Sequence, residues 1–350
     1  MKVKLPVRKA ILARQTYEAP AEGRRGKVRL DFNENTSGCS AAALKAIRRI
    51  TAKEVATYPE YDQSTRSLAR YFGVRPDELL LTNGGDDALR VFFDTFVQPR
   101  SYILICEPTF PMYRYYAEIS GARVQTLRYG PNMEFPVSAA LTALKKRPRV
   151  FFLANPNNPT GTLVSQNEIK RLLRAATHTV VVLDEAYAEF SGTHAIALTR
   201  KYPQLFVART FSKAAGLAAL RLGAVIADAG SLSLVRRAMP PYPVNMVALV
   251  AAVAATKERK TIASYVSGTK RRREWFAAAL RRHGVRVFPS AANFLLADFG
   301  AKGPALFRKL ALHSILVRER SKDLGPGFVR ITIGTQSELD RFLSLLKQKD

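Results

Sequence analysis

Short apolar runs alternate with amphipathic segments along most of the chain. The runs are nearly continuous in Val, Ile, Leu and Phe, which is typical of strands buried on both faces of a mainly parallel sheet. The intervening segments have helical periodicity, and one begins with a capping box formed by Ser165 and Glu168. The predicted strands are 79–82, 102–106, 123–127, 150–154, 180–184, 205–209 and 222–227, and the first predicted helices are 41–52, 64–73 and 86–96.

The pattern changes after about residue 255. A helix is followed by strands at 285–290 and 293–299, a helix at 306–313, strands at 314–319 and 328–334, and a last helix. We therefore predict an α/β protein in which a large domain is followed by a smaller α/β domain. The predicted boundaries are an N-terminal arm at 1–35, the large domain at 36–255 and the small domain at 256–350.

Composition is that of an ordinary globular protein. Of the 350 residues, 47% are hydrophobic and 24% are charged, so a sizeable core can form. Cys39 and Cys106 are too few for a disulfide framework. The basic start has no apolar centre like that of a signal peptide, and no run reaches the ~18 apolar residues of a membrane span. We therefore expect a cytoplasmic protein with no membrane partner.

The net charge of +27 is dispersed along the chain. Its densest runs, Lys270–Arg273 and Arg281–Arg282, lie at helical spacing beside apolar residues such as Phe276, as on a solvated helix face. We expect no specific nucleic-acid partner, and at most weak adhesion to polyanions at low salt. Binding of anionic substrates is the other interpretation of this charge.

Two motifs suit an anionic, oxygen-rich ligand. In TNGGDDALRVFF (82–93) a strand ends, two glycines turn the chain and a helix begins, so free backbone N–H groups and the positive helix end suit a phosphate. In NPNNPTG (155–161) the prolines make a rigid loop that can aim the amide of Asn158. Both motifs follow predicted strands, at the sheet edge where open α/β folds bind ligands.

Two further motifs supply an acid and an amine. Asp184 ends a buried strand, where a carboxylate is costly unless it is paired, and a protonated pyridine nitrogen is a suitable partner. Tyr187, three residues later, can reach a neighbouring ring hydroxyl. Lys213 follows a strand in RTFSKAAGLAALRLG (209–223) and is placed to be desolvated and form a Schiff base. Thr210, Ser212 and Arg221 surround it with hydroxyls and a guanidinium that suit a phosphate. Together the four motifs match the groups of pyridoxal 5′-phosphate (PLP).

The chain resembles the fold-type I PLP-dependent aminotransferases and, within them, is most similar to the histidinol-phosphate aminotransferases. The resemblance extends from Tyr17 to the C-terminus. It rests on LDFNEN (30–35), YPEY (58–61), NGGDDAL (83–89), EPTFPMY (107–113), NPNNPTG (155–161), DEAYAEF (184–190), TFSKAAGLAALRLG (210–223), NFLL (293–296) and VRITIGT (329–335). Two departures are an arm without the family's proline–tyrosine signature and Asp87 in place of a common glutamate.

The resemblance implies a role for each matched residue. Lys213 would carry the cofactor and then act as the base. Asp184 would bind the pyridine nitrogen, Asn158 and Tyr187 the ring oxygen, and Phe110 would stack on the ring. The cofactor phosphate would be held by Gly85, Asp86, Thr210, Ser212, Arg221 and, from a neighbouring subunit, Tyr58, which implies a homodimer. The substrate would be bound by Arg330, Arg318, Tyr17 and Asn158.

The implied reaction converts L-histidinol phosphate and 2-oxoglutarate to imidazole acetol phosphate and L-glutamate, in histidine biosynthesis. Two enzymes on the same scaffold stay open, an aromatic amino-acid aminotransferase and a threonine-phosphate decarboxylase-like lyase. A DNA-binding regulator with a PLP-type domain is disfavoured, because only about 35 residues precede the first matched helix. Tyr58 and Tyr17 could instead be packing residues, Asn33 and Glu34 could simply shape the arm, and Arg320 competes with Arg318.

Overall fold

Two sheets organise residues 5–12 and 22–347, the part of the chain that the computed structural model describes. The strands are numbered in chain order, and those of the large sheet are consecutive along the chain. They are β1 (Val28–Leu30), β2 (Leu79–Thr82), β3 (Tyr102–Glu107), β4 (Arg123–Arg128), β5 (Val150–Ala154), β6 (Val180–Asp184), β7 (Leu205–Thr210), β8 (Gly223–Ile226), β9 (Arg286–Val287), β10 (Phe294–Asp298), β11 (Ile315–Glu319) and β12 (Phe328–Thr332).

The helices connect and cover these strands, as the alternating pattern predicts. They are α1 (Lys9–Leu12), α2 (Ala41–Arg48), α3 (Ala52–Val55), α4 (Asp62–Phe72), α5 (Gly84–Phe96), α6 (Met112–Ile119), α7 (Val137–Leu144), α8 (Gln166–Ala175), α9 (Ala188–Ser191), α10 (Ala229–Arg236), α11 (Met246–Lys257), α12 (Arg259–Arg282), α13 (Gly303–Leu312), α14 (Ser321–Leu324) and α15 (Gln336–Lys347).

The large sheet has the strand order β2-β8-β7-β6-β5-β3-β4. Every pairing in it is parallel except the two made by β8, which is antiparallel to both neighbours. The chain between β7 and β8 contains only a 3-10 turn, Ala218–Leu220, and no crossover helix that would return it for parallel pairing. The prediction of a mainly parallel α/β sheet is confirmed.

Both faces of the large sheet are buried. Neighbouring residues on β5 show this, because Phe151 packs in one apolar cluster and Phe152 in the other, and both are almost fully buried. Successive side chains of a strand point to opposite faces, so helices must cover each side. This explains why the strands of this sheet read as uninterrupted apolar runs.

Local signals fix most helix ends. The Ser165 hydroxyl accepts from the Glu168 N–H at 3.2 Å and the Glu168 carboxylate accepts from the Ser165 N–H at 2.8 Å, as the capping box predicts. Gly73 ends α4 with φ of 72°. The prediction of a single helix over 41–52 was wrong. α2 ends at Arg48, and Thr51 caps the start of α3 through a second capping box.

The small sheet joins the two ends of the chain, in the order β1-β11-β12-β10-β9. β1 pairs parallel with β11, so Val28 lies opposite Ile315, and the other pairings are antiparallel. Part of the segment expected to form an arm is therefore a strand of the C-terminal sheet. The expected strand over 285–290 is only Arg286–Val287. The domain boundaries near 35 and 255 stay predictions.

The longest apolar helix segments remain short. α11 contains twelve residues, and within the described ranges no helix has the length and apolar character needed to cross a bilayer.

The core of the small sheet should depend on an aromatic pair. Phe276 of α12 and Phe342 of α15 are fully buried and meet edge to face, with ring centroids 5.4 Å apart. We expect Phe342→Ala to lower the free energy of unfolding by about 3–5 kcal/mol, because it removes the packing and leaves a cavity. Chemical denaturation followed by circular dichroism measures the change. Leu312→Ala, at an 84% exposed position, is the control and should change it by less than about 0.5 kcal/mol.

Candidate active site

A cavity of about 810 Å³ lies where the ends of β5, β6 and β7 and the start of α5 face strands β1, β11 and β12. It brings together predicted site residues that are far apart in the sequence. Those that line it are Gly85, Asp86, Phe110, Asn158, Asp184, Tyr187, Thr210, Ser212, Lys213, Arg221, Arg318 and Arg330. Tyr58 is 76% exposed outside this cavity and stacks on Tyr242 with centroids 4.3 Å apart. Tyr17 lies outside the described residues.

Asp184 is the last residue of β6 and points its carboxylate into the cavity wall. One oxygen accepts from the Tyr113 hydroxyl at 2.7 Å and the other from the Ala186 N–H at 3.0 Å. Burial raises the pKa of the Asp184 carboxyl, and these two donors act against the rise. No described basic side chain forms an ion pair with it. Sequence reasoning missed Tyr113, because its segment, EPTFPMY, carries no spacing signal that links it to β6.

Lys213 follows β7 and directs its amine towards the N-terminal segment. The amine donates to the Phe32 carbonyl at 2.8 Å. Burial, helped by the positive charge of Arg330, lowers the Lys213 pKa to about 8. About one-tenth of this amine is therefore neutral at pH 7, far more than for an ordinary lysine, and the neutral form is the one that attacks a carbonyl.

Asn33 links Tyr187 to the small sheet. Its amide donates to the Tyr187 hydroxyl at 2.9 Å, and its backbone N–H donates to the Thr332 hydroxyl at 3.0 Å. Asn293 donates to the Asn33 carbonyl at 3.0 Å. Asn33 is 1% exposed and has φ of 55°, a left-handed conformation that asparagine tolerates. The sequence offered only a role in shaping the arm, whereas here it forms part of the cavity wall.

The start of α5 and the turn after β7 form a cradle suited to an anion. The first N–H groups of α5, including those of Gly85 and Asp86, have no partner within the helix. The Arg221 guanidinium closes the cradle and pairs with the Asp86 carboxylate at 3.1 Å. Gly84 has φ of 80°, a left-handed conformation that favours glycine, and the guanidinium lies 2.7 Å from the position that a Cβ atom would take there.

The loop that carries Asn158 is held from both sides. The neighbouring Asn157 accepts from the Thr109 hydroxyl at 2.7 Å and donates to the Pro108 carbonyl at 2.9 Å. At the other end, a Cβ atom on Gly161 would lie 2.4 Å from the Ser290 hydroxyl oxygen. These contacts fix the Asn158 amide at the cavity.

Arg330, on β12, enters the cavity from the small sheet. Its guanidinium donates to the Asn158 amide oxygen at 2.5 Å and to the Asp31 carbonyl. Burial lowers the Arg330 pKa to about 10, and its Nε has no acceptor. Both described acceptors are neutral, so the guanidinium charge is left for an anionic ligand.

These residues fit PLP. A buried carboxylate without a cation matches the pyridine nitrogen, a partly neutral lysine matches the aldehyde, and a helix start with a guanidinium matches the phosphate. Phe110 lines the space between them. The individual assignments stay predictions.

Residues 25–346 match the family model for aminotransferases of class I and II. The chain belongs to this family. A histidinol-phosphate aminotransferase of Geobacillus sp. (strain WCH70) is 35% identical over 328 residues, which cover 92% of this chain and 89% of the relative. The aminotransferase uses PLP as its cofactor, and its substrates are an amino donor and a 2-oxo acid.

Solved structures show the same fold. Histidinol-phosphate aminotransferase from Sinorhizobium meliloti in complex with PLP has a TM-score of 0.90 at 24% identity, covering 99% of this chain and 97% of that chain. L-threonine-O-3-phosphate decarboxylase from Porphyromonas gingivalis has a TM-score of 0.80 at 26% identity, covering 91% and 98%. The prediction of a fold-type I PLP enzyme is confirmed.

The lowered pKa of Lys213 gives a pH dependence that can be measured on the cofactor-free aminotransferase. Since only the neutral amine reacts, capture of PLP should rise about tenfold per pH unit below pH 8 and level off above it. Borohydride trapping between pH 6 and 10, with mass spectrometry of the Lys213 peptide, measures this. Nα-acetyl-lysine is the control, and the rate of its reaction with PLP should keep rising to about pH 10. A pH midpoint near 10 for the reaction of Lys213 would contradict the prediction.

Proposed function

We propose that this aminotransferase moves the amino group of L-histidinol phosphate to 2-oxoglutarate, giving imidazole acetol phosphate and L-glutamate in histidine biosynthesis. Histidinol-phosphate aminotransferases of 34–36% identity that match 90–92% of the chain support the substrate. The observation that carries the proposal is a pair of arginines in the cavity, Arg318 and Arg330, directly opposite each other on β11 and β12. The two substrates of the cycle carry a phosphate, in histidinol phosphate, and an α-carboxylate, in glutamate. This pair of arginines suits both groups.

The large sheet would hold the cofactor. When bound, PLP supplies a protonated ring that draws electrons from the substrate's Cα–H bond. Asp184, oriented by Tyr113, would hold the proton at the pyridine nitrogen, and Asn158 and Tyr187 would bind the ring oxygen. Phe110 would pack on the ring. The phosphate would lie among Gly85, Asp86, Thr210, Ser212 and Arg221, all of which line the cavity.

Lys213 would move the proton of the reaction. Its Nζ would take the proton from the substrate Cα and return it to the C4′ carbon of the cofactor, acting first as base and then as acid. A pKa of about 8 suits both roles, because neither the neutral nor the charged form is rare near neutral pH.

Arg330 would orient the anionic group nearest the reacting carbon. Its planar fork can bind the α-carboxylate of glutamate in one half of the cycle and share the phosphate of histidinol phosphate in the other. Arg318 would take the phosphate. Tyr17 would also contact it, on the strength of the family resemblance alone.

We propose that the enzyme works in the cytoplasm as a homodimer, with Tyr58 reaching the cofactor phosphate of the partner subunit. Two observations support the homodimer. Tyr58 is 76% exposed although it is a large aromatic residue, and it stacks on Tyr242, which is 53% exposed. An exposed aromatic pair of this kind is typical of a protein contact surface.

Cell fractionation tests the proposed location, because it measures whether the enzyme is found in the cytoplasm.

The substrate can be tested with the PLP-loaded enzyme and three amino donors. We expect formation of glutamate from 2-oxoglutarate with L-histidinol phosphate at a kcat/KM of about 10⁴ M⁻¹s⁻¹ or more, and none with Lys213→Ala. Phenylalanine should be at least about tenfold poorer. Preferred turnover of phenylalanine or tyrosine would favour an aromatic aminotransferase, and release of CO2 from threonine phosphate would favour a decarboxylase. Either result would overturn the proposed substrate.

The shared site can be tested by mixing two inactive variants. Lys213→Ala and Tyr58→Ala chains, coexpressed, form heterodimers in which one site has both a wild-type Lys213 and a wild-type Tyr58. We expect this site to regain PLP affinity and activity that neither variant has alone, up to half of the wild-type value per heterodimer. Sedimentation velocity checks that dimers form. A monomer, or heterodimers with no recovery, would contradict the proposal.

A further inference from the structure

Three arginines lie on one face of the small sheet, towards the cavity, and a fourth follows the end of β11. β1, β11 and β12 are adjacent, Arg29 lies opposite Leu316 in the strand register, and Arg318 lies opposite Arg330. Since side chains alternate along a strand, Leu316 and Arg318 point to the side opposite the buried Ile315 and Val317, and Arg320 is the first residue after β11. Arg29, Arg318, Arg320 and Arg330 all line the cavity.

These arginines are left with unused donors. The Nε atoms of Arg29, Arg320 and Arg330 are buried without an acceptor, although buried donors in proteins are normally paired. Arg318 makes no hydrogen bond or ion pair among the described residues. Like charges directly opposite on neighbouring strands, as Arg318 and Arg330 are, destabilise a sheet unless an anion lies between them. Glu34 pairs with Arg29 and Asp323 with Arg320, so two carboxylates face four guanidinium groups, and the surface suits a ligand of high negative charge.

Arg29 forms an ion pair with Glu34 from which it can separate. Its guanidinium lies 2.5 Å from Glu34, and Glu34 also pairs with Arg24 at 3.0 Å. Arg24 is buried and is held in addition by Asp31 at 2.6 Å. If Arg29 leaves Glu34, that carboxylate therefore keeps a partner. The Arg29 side chain is 42% exposed against 9% for Arg24, so Arg29 is the one free to turn.

We propose that Arg29 and Arg320 complete, with Arg318, a site for the doubly charged phosphate of a phosphate-monoester substrate, and that Arg29 exchanges Glu34 for this phosphate. The inference rests on the proposed function and extends it to Arg29, which neither the motifs nor the resemblance assigned, and to Arg320, which the sequence left as a competitor of Arg318. Three oxygens of a dianion match three planar donors, and Arg330 stays available for the α-carboxylate of glutamate in the other half of the cycle. Arg29 and Arg320 are specificity-determining residues in this arrangement.

A dianion site has a pH signature. The second pKa of a phosphate monoester is about 6, so the ligand loses one of its two charges below that pH. Affinity for the phosphate should fall with decreasing pH below about 6. The dependence should be weaker once one of the three arginines is removed, because fewer positive charges then distinguish the dianion from the monoanion.

The test uses the PLP-loaded enzyme and the variants Arg29→Gln, Arg320→Gln and Arg29→Lys. With L-histidinol phosphate we expect each glutamine variant to raise KM about tenfold or more, the effect of losing one charge-assisted hydrogen bond. With L-histidinol, which lacks the phosphate, KM and kcat should change less than about twofold. Arg29→Lys keeps the positive charge but lacks the planar guanidinium, so its KM for L-histidinol phosphate should lie between those of the wild type and Arg29→Gln. Arg25→Gln, an exposed arginine in the same segment, is the control and should match the wild type.

Calorimetry with inorganic phosphate separates this inference from the proposed substrate. Wild-type holoenzyme should bind phosphate about tenfold more tightly than Arg29→Gln does, whatever amine the enzyme prefers. If the wild type does not use histidinol phosphate but this difference holds, the proposed substrate fails and the arginine site stands. Equal phosphate affinity in wild type and Arg29→Gln, or equal losses with histidinol and its phosphate, would overturn the site. Circular dichroism confirms that each variant is folded.

Discussion

A half-buried carboxylate, a half-buried amine and a buried guanidinium line one cavity, and the structure leaves each of them without a full counter-charge. Asp184 is held by a tyrosine and a backbone N–H, Lys213 by a carbonyl, and Arg330 by an amide oxygen and a carbonyl. Neutral partners satisfy hydrogen bonds but do not cancel charge, so burial shifts the pKa of all three groups towards their neutral forms. The cofactor and substrate of an aminotransferase bring the opposite charges, so the cost of leaving these groups unpaired is recovered on binding.

The short segment 31–33 keeps this arrangement in place. Phe32 accepts from Lys213, Asn33 contacts Tyr187 and Thr332, and the Asp31 carbonyl accepts from Arg330. Residues of the large and small sheets are therefore fixed relative to each other by three consecutive residues, Asp31 to Asn33. A displacement of this segment would change the positions of Lys213, Tyr187 and Arg330 together.

The sequence predicted what depends on local pattern. Strands buried on both faces, the Ser165 cap and the C-terminal glycine of α4 all have signals within a few residues, and the cofactor motifs recur at strand ends. The Thr51 cap was also local, but the helical periodicity of 41–52 concealed it. Tyr113 and Asn33 act through contacts 71 and 154 residues away, which periodicity cannot reveal. Arg29 reads as an ordinary surface charge until the sheet register places it on the same face as Arg318 and Arg330, and the sequence could not decide between Arg318 and Arg320.

The parallel pairing of β1 with β11 has a consequence for the order of events during synthesis. Asn33 meets Thr332 across 299 residues of intervening chain, so the N-terminal strand must wait for the C-terminal one to leave the ribosome. At ~5–20 residues per second this delay is roughly 15–60 s. The large sheet contains no strand from either end and can form earlier. Lys213 thus emerges in a half-built pocket, which stays open during synthesis on the side that the small sheet later covers.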